Sequence, residues 1–221
     1  MEIIQAMKNR HSVRQYIDKP IDPQVLQALQ AEIDFCNKQA QLHIQLVTNE
    51  PKAFDSFMAH YGKFSGVTNY IALIGKKSAK LDELCGYYGE HLVLKAQQLG
   101  LNTCWVAMSY KKISDAFSVE KDEKLTVVIA LGYGKNQGVA HKSKSAQAVS
   151  NISDNSPEWF KSGIEAALLA PTAMNQQRFT LTYENGKVSA ATGLGFYTKL
   201  DLGIVKYHFE LGAGKENFTW K

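Results

Sequence analysis

The sequence contains little of several features that would identify a specialised class of protein. It has only 3 cysteines among its 221 residues. Cys36, Cys85 and Cys104 are odd in number and widely spaced, which suits neither a disulfide framework nor a zinc site, so we expect reduced, buried thiols. No apolar run approaches the roughly 20 residues needed to cross a bilayer. The N-terminus is charged every few residues, unlike a signal peptide. We therefore expect a cytoplasmic protein with no membrane partner.

The excess of positive charge is also small, because 25 Lys and Arg residues stand against 21 Asp and Glu residues. Nucleic-acid binding needs a basic face with interleaved aromatic residues, and the sequence has none, so we expect no nucleic-acid partner. Short lysine groups at 75–80 and 141–144 suit either one small anionic ligand or a solvated surface. The proportions of apolar and charged residues are those of a compact domain, or of two small halves of one.

Hydrophobic periodicity and turn residues predict an α+β fold in which helices and strands are intermixed. The predicted helices cover 2–9, 21–35, 81–100, 157–170 and 199–212. The predicted strands cover 42–49, 69–76 and 125–134, followed by a hairpin over 178–192. Asp22 and Pro23 are suited to start the second helix. Asn185-Gly186 is the strongest short hairpin signal in the chain.

Two pairs of similar segments suggest an internal duplication. “QALQAEIDFCNKQAQLHIQLVTNE” and “SGIEAALLAPTAMNQQRFTLTYENG” both suggest a helix, an Asn-x-Gln turn and a strand, with Asn37 and Asn175 separated by 175 − 37 = 138 positions. “GEHLVLKAQQLGLNTCW” and “GIVKYHFELGAGKENFTW” both suggest a helix, a glycine and a terminal Trp, offset by 203 − 89 = 114. The matches indicate either a degenerate repeat or a coincidence arising from common cap and strand patterns.

Motifs along nearly the whole chain resemble those of FMN-dependent nitroreductases. “IIQAMKNRHSVRQYIDKPI” is similar to that family's first helix and the Arg-x-Ser-x-Arg/Lys loop after it. “GEHLVLKAQQLGLNTCWVAM” resembles the long central helix and the turn that follows, and “VVIALGYG” resembles the penultimate strand. “APTAMNQQRF” resembles an Ala-Pro-Ser-x-x-Asn-x-Gln-Pro-Trp segment that normally lies soon after the first helix and covers the flavin of a homodimer partner. Here the first copy, “FCNKQ”, lacks the Pro-Ser.

The resemblance implies a nitroreductase-like mixed or antiparallel sheet flanked by helices, in the subset of single chains whose degenerate repeat imitates the homodimer. The expected halves are residues 1–135, with the flavin phosphate and ring-edge site, and a shorter part at 155–221 that covers the flavin. Together they are expected to form one compact unit. A chain that imitates a dimer has no need of a second copy, so a monomer is expected.

The loop “RHSVR” suits FMN, which needs cations at two places and a hydroxyl or amide between them. Alternate residues of an extended loop face the same way, so Arg10, Ser12 and Arg14 can point together. The family resemblance assigns Arg10 to the phosphate, Ser12 to the ribityl and phosphate region, and Arg14 to the N1/O2 ring edge. The alternative is three exposed polar loop residues.

The resemblance assigns further residues to FMN. Lys144 or, nearly equally, Lys142 stands where the family has its second phosphate cation. Lys63 stands where relatives often have a lysine near the pyrimidine, although a solvated surface residue suits it as well. The strip beneath the ring is expected from Trp105, Val106, Ala107 and Met108, and the cover of its other side from Pro171, Thr172, Ala173 and Asn175. Relatives often have glycine near Met108, so the N5 contact stays open, and the cover segment could be a plain helix-stop turn.

The resemblance implies an enzyme in which hydride passes from NADH or NADPH through flavin N5 to a nitroaromatic, a quinone or a similar small electrophilic acceptor. No protein side chain is expected to be catalytic, and the histidines show no metal-binding spacing. One FMN per chain is expected, because no second Arg-x-Ser-x-Arg set precedes the second copy. The alternatives are a dehalogenase or flavin-modifying variant, a flavin-binding or sensing protein without turnover, and a cofactor-free scaffold.

Overall fold

The structure is a computed structural model that describes all 221 residues. The helices are α1 (Ile3–Asn9), α2 (Pro23–Ala40), α3 (Phe57–Tyr61), α4 (Leu81–Gln98), α5 (Ala146–Val149), α6 (Glu158–Ala167) and α7 (Thr198–Ala213). The strands are β1 (Gln45–Val47), β2 (Asn69–Lys76), β3 (Asn102–Val106), β4 (Glu123–Gly132), β5 (Phe179–Glu184), β6 (Lys187–Thr192) and β7 (Thr219–Trp220). Short 3-10 turns cover Ala173–Asn175 and Lys215–Asn217. The mixture of helices and strands confirms the predicted α+β class.

The chain divides into two compact units. The first comprises Met1–Leu81 and Leu92–Ala140, and the second comprises Asp82–His91 and His141–Lys221. This division falls close to the end of the predicted first half but also assigns the first part of α4 to the second unit. The predicted halves, 1–135 and 155–221, therefore stay a prediction. None of the helices is long and apolar enough to span a bilayer.

The first unit is built on a four-stranded antiparallel sheet in the order β1-β2-β4-β3. Its central strands are long apolar runs, as expected for strands covered on both faces. Alternate residues of these strands point to one side, where Tyr70, Ala72 and Ile74 of β2 and Val128 and Ala130 of β4 join a single hydrophobic cluster. The sheet core therefore fixes the strand to which the candidate site is attached.

Helix α2 starts where the sequence predicts. The Asp22 carboxylate accepts a hydrogen bond from the Gln24 N–H at 2.8 Å, and Pro23 occupies the first turn. Leu29 and Ile33, four positions apart, are fully buried on one face. Local capping chemistry and a single apolar stripe are sufficient to position this helix.

The turn predicted at Asn37 is wrong. Helix α2 continues through this residue to Ala40, because the segment contains no proline or glycine to stop it earlier, and Gln41 then ends it in a left-handed conformation with φ 53°. The Asn37 side chain instead bonds the backbone N–H and C=O of Ile44 at 2.8 and 2.9 Å. The first segment of the suggested repeat is therefore helical where the second has a turn.

The second unit carries a three-stranded sheet in the order β5-β6-β7. Strands β5 and β6 form the predicted hairpin, and Asn185 (φ 49°) and Gly186 (φ 77°) both take the left-handed conformation that a two-residue hairpin turn needs. Strands β6 and β7 are parallel neighbours. In the first sheet β2 and β3 also run parallel to each other, since both are antiparallel to β4 between them.

Two glycines bring α7 into backbone contact with the first part of α4. A Cβ atom on Gly86 would lie 2.0 Å from the Leu200 carbonyl oxygen, and one on Gly203 would lie 2.0 Å from the Glu83 carbonyl oxygen. No side chain fits in either place. The crossing of these helices thus depends on two positions without a Cβ.

The tryptophans divide unequally between the units. Trp159 and Trp220 belong to an aromatic cluster of the second unit, where Trp159 stacks on Phe218 with ring centroids 5.6 Å apart and Phe218 meets Trp220 edge-on at 5.0 Å. Trp105 lies in β3 of the first unit and is half-buried. The second unit therefore has an aromatic core of its own.

Candidate functional site

The loop at residues 10–17 is held by its own backbone. It lies alongside three segments: β3, the residues that follow β4, and Ser65. Its main-chain hydrogen bonds are Val13 N–H to Thr103 O (3.0 Å), Tyr16 N–H to Ser65 O (2.9 Å), Ile17 N–H to Tyr133 O (2.9 Å) and Lys135 N–H to Gln15 O (2.8 Å). These main-chain bonds, together with the Tyr16 hydroxyl that donates to the Val13 carbonyl at 2.8 Å, hold the conformation of this loop.

The loop brings Arg10, Ser12 and Arg14 together around the thiol of Cys104. The Ser12 side chain is hydrogen-bonded to this thiol, and both arginines act on it electrostatically. Burial raises the pKa of Cys104, and Arg14, Ser12 and Arg10 partly offset that rise. Arg10 is itself buried, with 4% of its surface exposed. Ser12 thus contacts Cys104 directly, and the charges of Arg14 and Arg10 both act on the same thiol.

Arg14 and Lys63 lie on neighbouring backbone segments. The Ser65 N–H donates to the Arg14 carbonyl at 3.0 Å, two residues after Lys63. The Arg14 guanidinium is exposed, lies 6.0 Å from the centre of the Phe64 ring, and takes part in no ion pair. Lys63 is also exposed and has a left-handed backbone with φ 62°, a conformation that is uncommon for residues other than glycine. Two exposed cationic residues therefore lie on neighbouring backbone segments.

The segment Trp105–Met108 does not present four equivalent side chains. Cys104 and Val106 face the hydrophobic cluster, so Trp105 points to the opposite side of the strand. Val106 is buried, with 4% of its surface exposed, whereas Met108 is 69% exposed. Ala107 is half-buried. A ligand beside this strand could reach the Trp105 side chain, but from Val106 it could reach only the backbone.

Asn102 is a residue of the first unit that the sequence analysis missed. Its side chain accepts from the Gly134 N–H at 2.9 Å and donates to the Gln137 side chain at 3.0 Å. It thereby fixes the segment “GYGKNQG” beside the 10–17 loop. The local sequence carries no signal for this role, because the burial of Asn102 depends on the pairing of β3 with β4.

In the second unit the segment predicted to cover a flavin forms a compact turn after α6. Pro171, Thr172 and Ala173 are half-buried, and Asn175 is exposed. The Asn175 N–H donates to the Thr172 carbonyl at 2.9 Å, and its side chain donates to the Lys142 carbonyl at 2.9 Å. The turn is therefore joined to the lysine-bearing segment.

The two candidate lysines differ. The Lys144 ammonium donates to the Gln177 carbonyl at 2.8 Å, and its backbone N–H donates to the Gln177 side chain at 2.8 Å. Lys142 uses only its carbonyl oxygen in this network, and its exposed ammonium has no partner. Lys142 is thus the freer cation of the pair.

The second unit also contains two residues that the sequence analysis missed. Gln177 is 3% exposed, and its amide donates to the Lys142 carbonyl and the Asn175 side chain. Asp201 is 4% exposed and accepts hydrogen bonds from the Ala173 N–H and the Gln176 side chain. An acidic residue inside the apolar run “LDLGIV” of α7 was the signal for Asp201. Nowhere in the chain do three His, Cys, Asp or Glu residues form a possible metal site.

The fold is similar to solved structures of several bacterial proteins. A “putative nitroreductase” from Thermotoga maritima is 22% identical with a TM-score of 0.69, and the match covers 98% of this chain and 85% of that one. A “putative nitroreductase in complex with FMN” from Desulfovibrio desulfuricans is 15% identical with a TM-score of 0.54, covering 71% and 99%. A “putative NADH oxidase” from Clostridium acetobutylicum is 18% identical with a TM-score of 0.52, covering 71% and 100%.

No functionally curated protein matches the chain. A sequence profile described as “Putative TM nitroreductase” matches residues 2–213, which is almost the whole chain. The candidate residues of both units lie within the matched range. The chain belongs to this nitroreductase family.

Proposed function

We propose that the protein is an FMN-dependent oxidoreductase that uses NADH or NADPH to reduce a small electrophilic acceptor, such as a nitroaromatic compound or a quinone. The observation that carries the proposal is the gathering of Arg10, Ser12 and Arg14 around Cys104 on a loop fixed by backbone bonds. Family membership supports the reaction class. FMN, when bound, would supply the hydride-accepting and hydride-donating N5 atom.

The residues of the first unit fit an anionic cofactor. Arg10 would bind the phosphate, Ser12 the adjoining ribityl region, and Arg14 the N1/O2 edge of the ring. The free, exposed guanidinium of Arg14 supports the last assignment, since a guanidinium presents several donors to oxygen acceptors and always carries its charge. Lys63, on the neighbouring segment, would add a second cation at this edge. The backbone of Trp105–Met108 would line the ring.

No side chain of this group is proposed as an acid or a nucleophile. Burial raises the pKa of Cys104, which keeps the thiol neutral at ordinary pH, and a neutral thiol is a poor nucleophile. The role of the protein is therefore to bind and orient, with solvent providing protons. The proposed electron acceptor is a small electrophilic molecule.

The residues of the second unit are proposed to contribute to flavin binding on the strength of the family resemblance. Lys142 is the better candidate for the phosphate, because Lys144 already donates its ammonium protons within the unit. Pro171, Thr172, Ala173 and Asn175 would contribute through the turn they form. Each contribution can be tested by a variant in the second unit alone.

Two neighbours support the choice of cofactors through fold similarity. The Desulfovibrio desulfuricans protein is described as bound to FMN, and the Clostridium acetobutylicum protein is described as an NADH oxidase. We extend FMN and a nicotinamide reductant to this chain as part of the proposal.

We also propose that the chain is internally duplicated, and the contacts of α4 and α7 support this idea. Gly86 meets the residue three positions before Gly203, and Gly203 meets the residue three positions before Gly86. The offset is 203 − 86 = 117. Two further contacts obey the same offset, since Glu90 bonds His208 and His91 bonds Tyr207, with 208 − 91 = 117 and 207 − 90 = 117. Reciprocal contacts of this kind are expected when two copies of one helix meet about a two-fold axis.

The order of the strands gives independent support. The segments α2, β1, β2, α4 and β3 of the first half correspond in order to α6, β5, β6, α7 and β7 of the second. The second sheet has the strand directions of the first with β4 left out. The offset of 117 differs from the 114 suggested by the sequence, because the structure aligns Gly86, rather than Gly89, with Gly203. A duplicated chain would supply its own second copy, so we propose a monomer of 24.6 kDa.

The experiment is to purify the protein, release and quantify any bound flavin, and titrate the apoprotein with FMN. Arg14→Ala is compared with Lys38→Ala, which removes an exposed cation of α2 far along the chain from the loop. Losing a charge-assisted contact should weaken FMN binding by about tenfold or more, while Lys38→Ala should bind like the natural chain. Anaerobic bleaching of the bound flavin by NADH or NADPH is then followed at 450 nm.

Each outcome has a clear meaning. An apoprotein that takes up no FMN contradicts the flavin proposal. Bound FMN that neither NADH nor NADPH reduces would favour a flavin-binding or sensing protein over an enzyme. Light scattering on the same sample tests the monomer, and a mass of two chains would contradict it.

A further inference from the structure

The turn that follows α6 is strained. Met174, Asn175 and Gln177 all have left-handed backbones, with φ of 51°, 53° and 45°, and none of them is glycine. Non-glycine residues adopt this conformation at a cost and keep it only where the surroundings impose it. Three such residues within four positions require an external restraint.

Asp201 on α7 supplies such a restraint. One carboxylate oxygen accepts from the Ala173 N–H at 2.9 Å, and the other accepts from the Gln176 side chain at 2.8 Å. The same Gln176 amide donates to the Phe196 carbonyl at 2.8 Å. The buried Asp201 carboxylate thereby connects two residues of the turn, Ala173 and Gln176, to α7. Through its bond to the Phe196 carbonyl, Gln176 also connects this network to the loop that precedes α7.

The environment of Asp201 is unfavourable for a group kept only for stability. Burial raises its pKa from the ordinary value of 3.8 to about 6, although its two hydrogen bonds oppose the rise. An apolar residue at this position of α7 would avoid the free-energy cost of burying a carboxylate. Under the offset of 117, position 201 corresponds to Leu84 of α4, and in the first half α2 runs on as a helix with no such turn. The carboxylate and the strained turn occur together in the same half of the chain.

We propose that Asp201 is a positioning residue that holds the turn 172–177 in its left-handed form and so presets it for flavin binding. The carboxylate acts through the Ala173 backbone and the Gln176 side chain. The second part of the proposal rests on the proposed function. The first part concerns the protein without cofactor.

The test of the first part is amide hydrogen exchange in the cofactor-free protein. The Ala173 amide should be protected because it donates to Asp201, while the Met174 amide, which has no acceptor, serves as an internal reference. Asp201→Ala should speed exchange at Ala173 about tenfold or more. Asp201→Asn keeps one acceptor for Ala173 and should restore most of the protection, although its new amide faces the Gln176 donor.

The matched control is Glu210→Gln. Glu210 is another buried carboxylate of α7, 9% exposed, and it accepts from the Tyr87 hydroxyl and the Trp220 ring N–H. The Glu210→Gln substitution should leave amide hydrogen exchange at Ala173 unchanged, even if it lowers the melting temperature. Unchanged exchange at Ala173 in Asp201→Ala overturns the proposal. If Asp201→Ala does not fold, exchange is compared in the natural chain and in Asp201→Asn. An unprotected Ala173 amide in the natural chain overturns the proposal. An Ala173 amide that is protected in the natural chain and stays protected in Asp201→Asn supports it.

The second part is tested by titrating the same variants with FMN. Asp201→Ala should raise the dissociation constant about tenfold relative to Glu210→Gln, with Asp201→Asn closer to the natural chain. Faster exchange with an unchanged dissociation constant would remove the link to flavin and leave only the hold on the turn. A natural chain that binds no FMN would refute the proposed function, and the exchange experiment would still decide the role of Asp201.

Discussion

The two groups of candidate residues are held in place by different means. In the first unit the 10–17 loop is fixed by main-chain bonds to Thr103, Ser65, Tyr133 and Lys135. In the second unit the turn is fixed mostly by side chains: Asp201 and Thr172 accept hydrogen bonds from the N–H groups of Ala173 and Gln177, and the Lys144 ammonium donates to the Gln177 carbonyl. Exposed side chains of the loop, such as that of Arg14, are thus free to change without moving it. Those around the turn are not.

The largest effect on stability should come from adding a methyl group where α4 and α7 cross in the second unit. In Gly203→Ala the new Cβ would meet the Glu83 carbonyl oxygen at 2.0 Å, so the helices must separate. We expect a loss of at least about 3 kcal/mol in unfolding free energy, measured by urea denaturation. The matched control is Gly193→Ala, where the nearest atom lies at 3.7 Å and the loss should stay below about 1 kcal/mol. Equal losses in both variants would contradict the close crossing.

The pH dependence of stability should reveal the buried carboxylate of the turn. The folded pKa of Asp201, about 6, lies above the ordinary 3.8, so folding favours the protonated form. Its contribution is fully present below pH 3.8 and is lost as the pH rises through about 6. From pH 4 to pH 7, Asp201→Asn should therefore gain about 2 kcal/mol of unfolding free energy relative to the natural chain. A difference that does not vary with pH would show that Asp201 keeps an ordinary pKa.

A smaller effect is expected when the amide at the centre of the turn's network is removed. Gln177→Ala loses bonds to the Lys142 carbonyl, the Asn175 side chain and the Lys144 N–H, and we expect a loss of about 2 kcal/mol. The exposed Gln147 of α5 provides the control, since Gln147→Ala should change stability by less than about 0.5 kcal/mol. Thermal unfolding measures both. Indistinguishable midpoints for Gln177→Ala and the natural chain would mean that the side-chain network does not hold the turn.

The smallest effect is expected in the first unit. Arg14→Ala should alter the unfolding free energy by no more than about 0.5 kcal/mol, because the guanidinium is exposed and the loop is held by its backbone. Chemical denaturation without added FMN is the measurement. A loss of 1.5 kcal/mol or more would place the loop in the same class as the turn and remove the contrast between them.

The sequence predicts the elements that depend on neighbouring residues. Asp22 and Pro23 predict the start of α2, and Asn185-Gly186 predicts the hairpin, because capping and turn formation depend on residues within a few positions. Strand β3 was not predicted as a strand. Its place at the edge of the first sheet depends on pairing with β4, more than 20 residues later, as in Trp105 with Ile129.

The candidate site shows the same division. Alternation along the loop predicts that Arg10, Ser12 and Arg14 gather, and all three act on Cys104. The roles of Asn102 and Asp201 depend on partners about 30 positions away in sequence, Gly134 and Ala173, and no local pattern specifies such partners. At Asn37 a local motif gave a wrong prediction of a turn. The motif is shared with Asn175, but it carries no information on whether the helix before it stops.

The uneven distribution of tryptophan gives the molecule its own optical labels. Two indoles, Trp159 and Trp220, lie in the aromatic cluster of the second unit, and one, Trp105, lies on β3 beside the arginine loop. A chain with both cluster indoles replaced by phenylalanine would emit from Trp105 alone, and Trp105→Phe would leave emission from the cluster alone. Intrinsic fluorescence can therefore report separately on the order in which the two units melt, without attaching any dye.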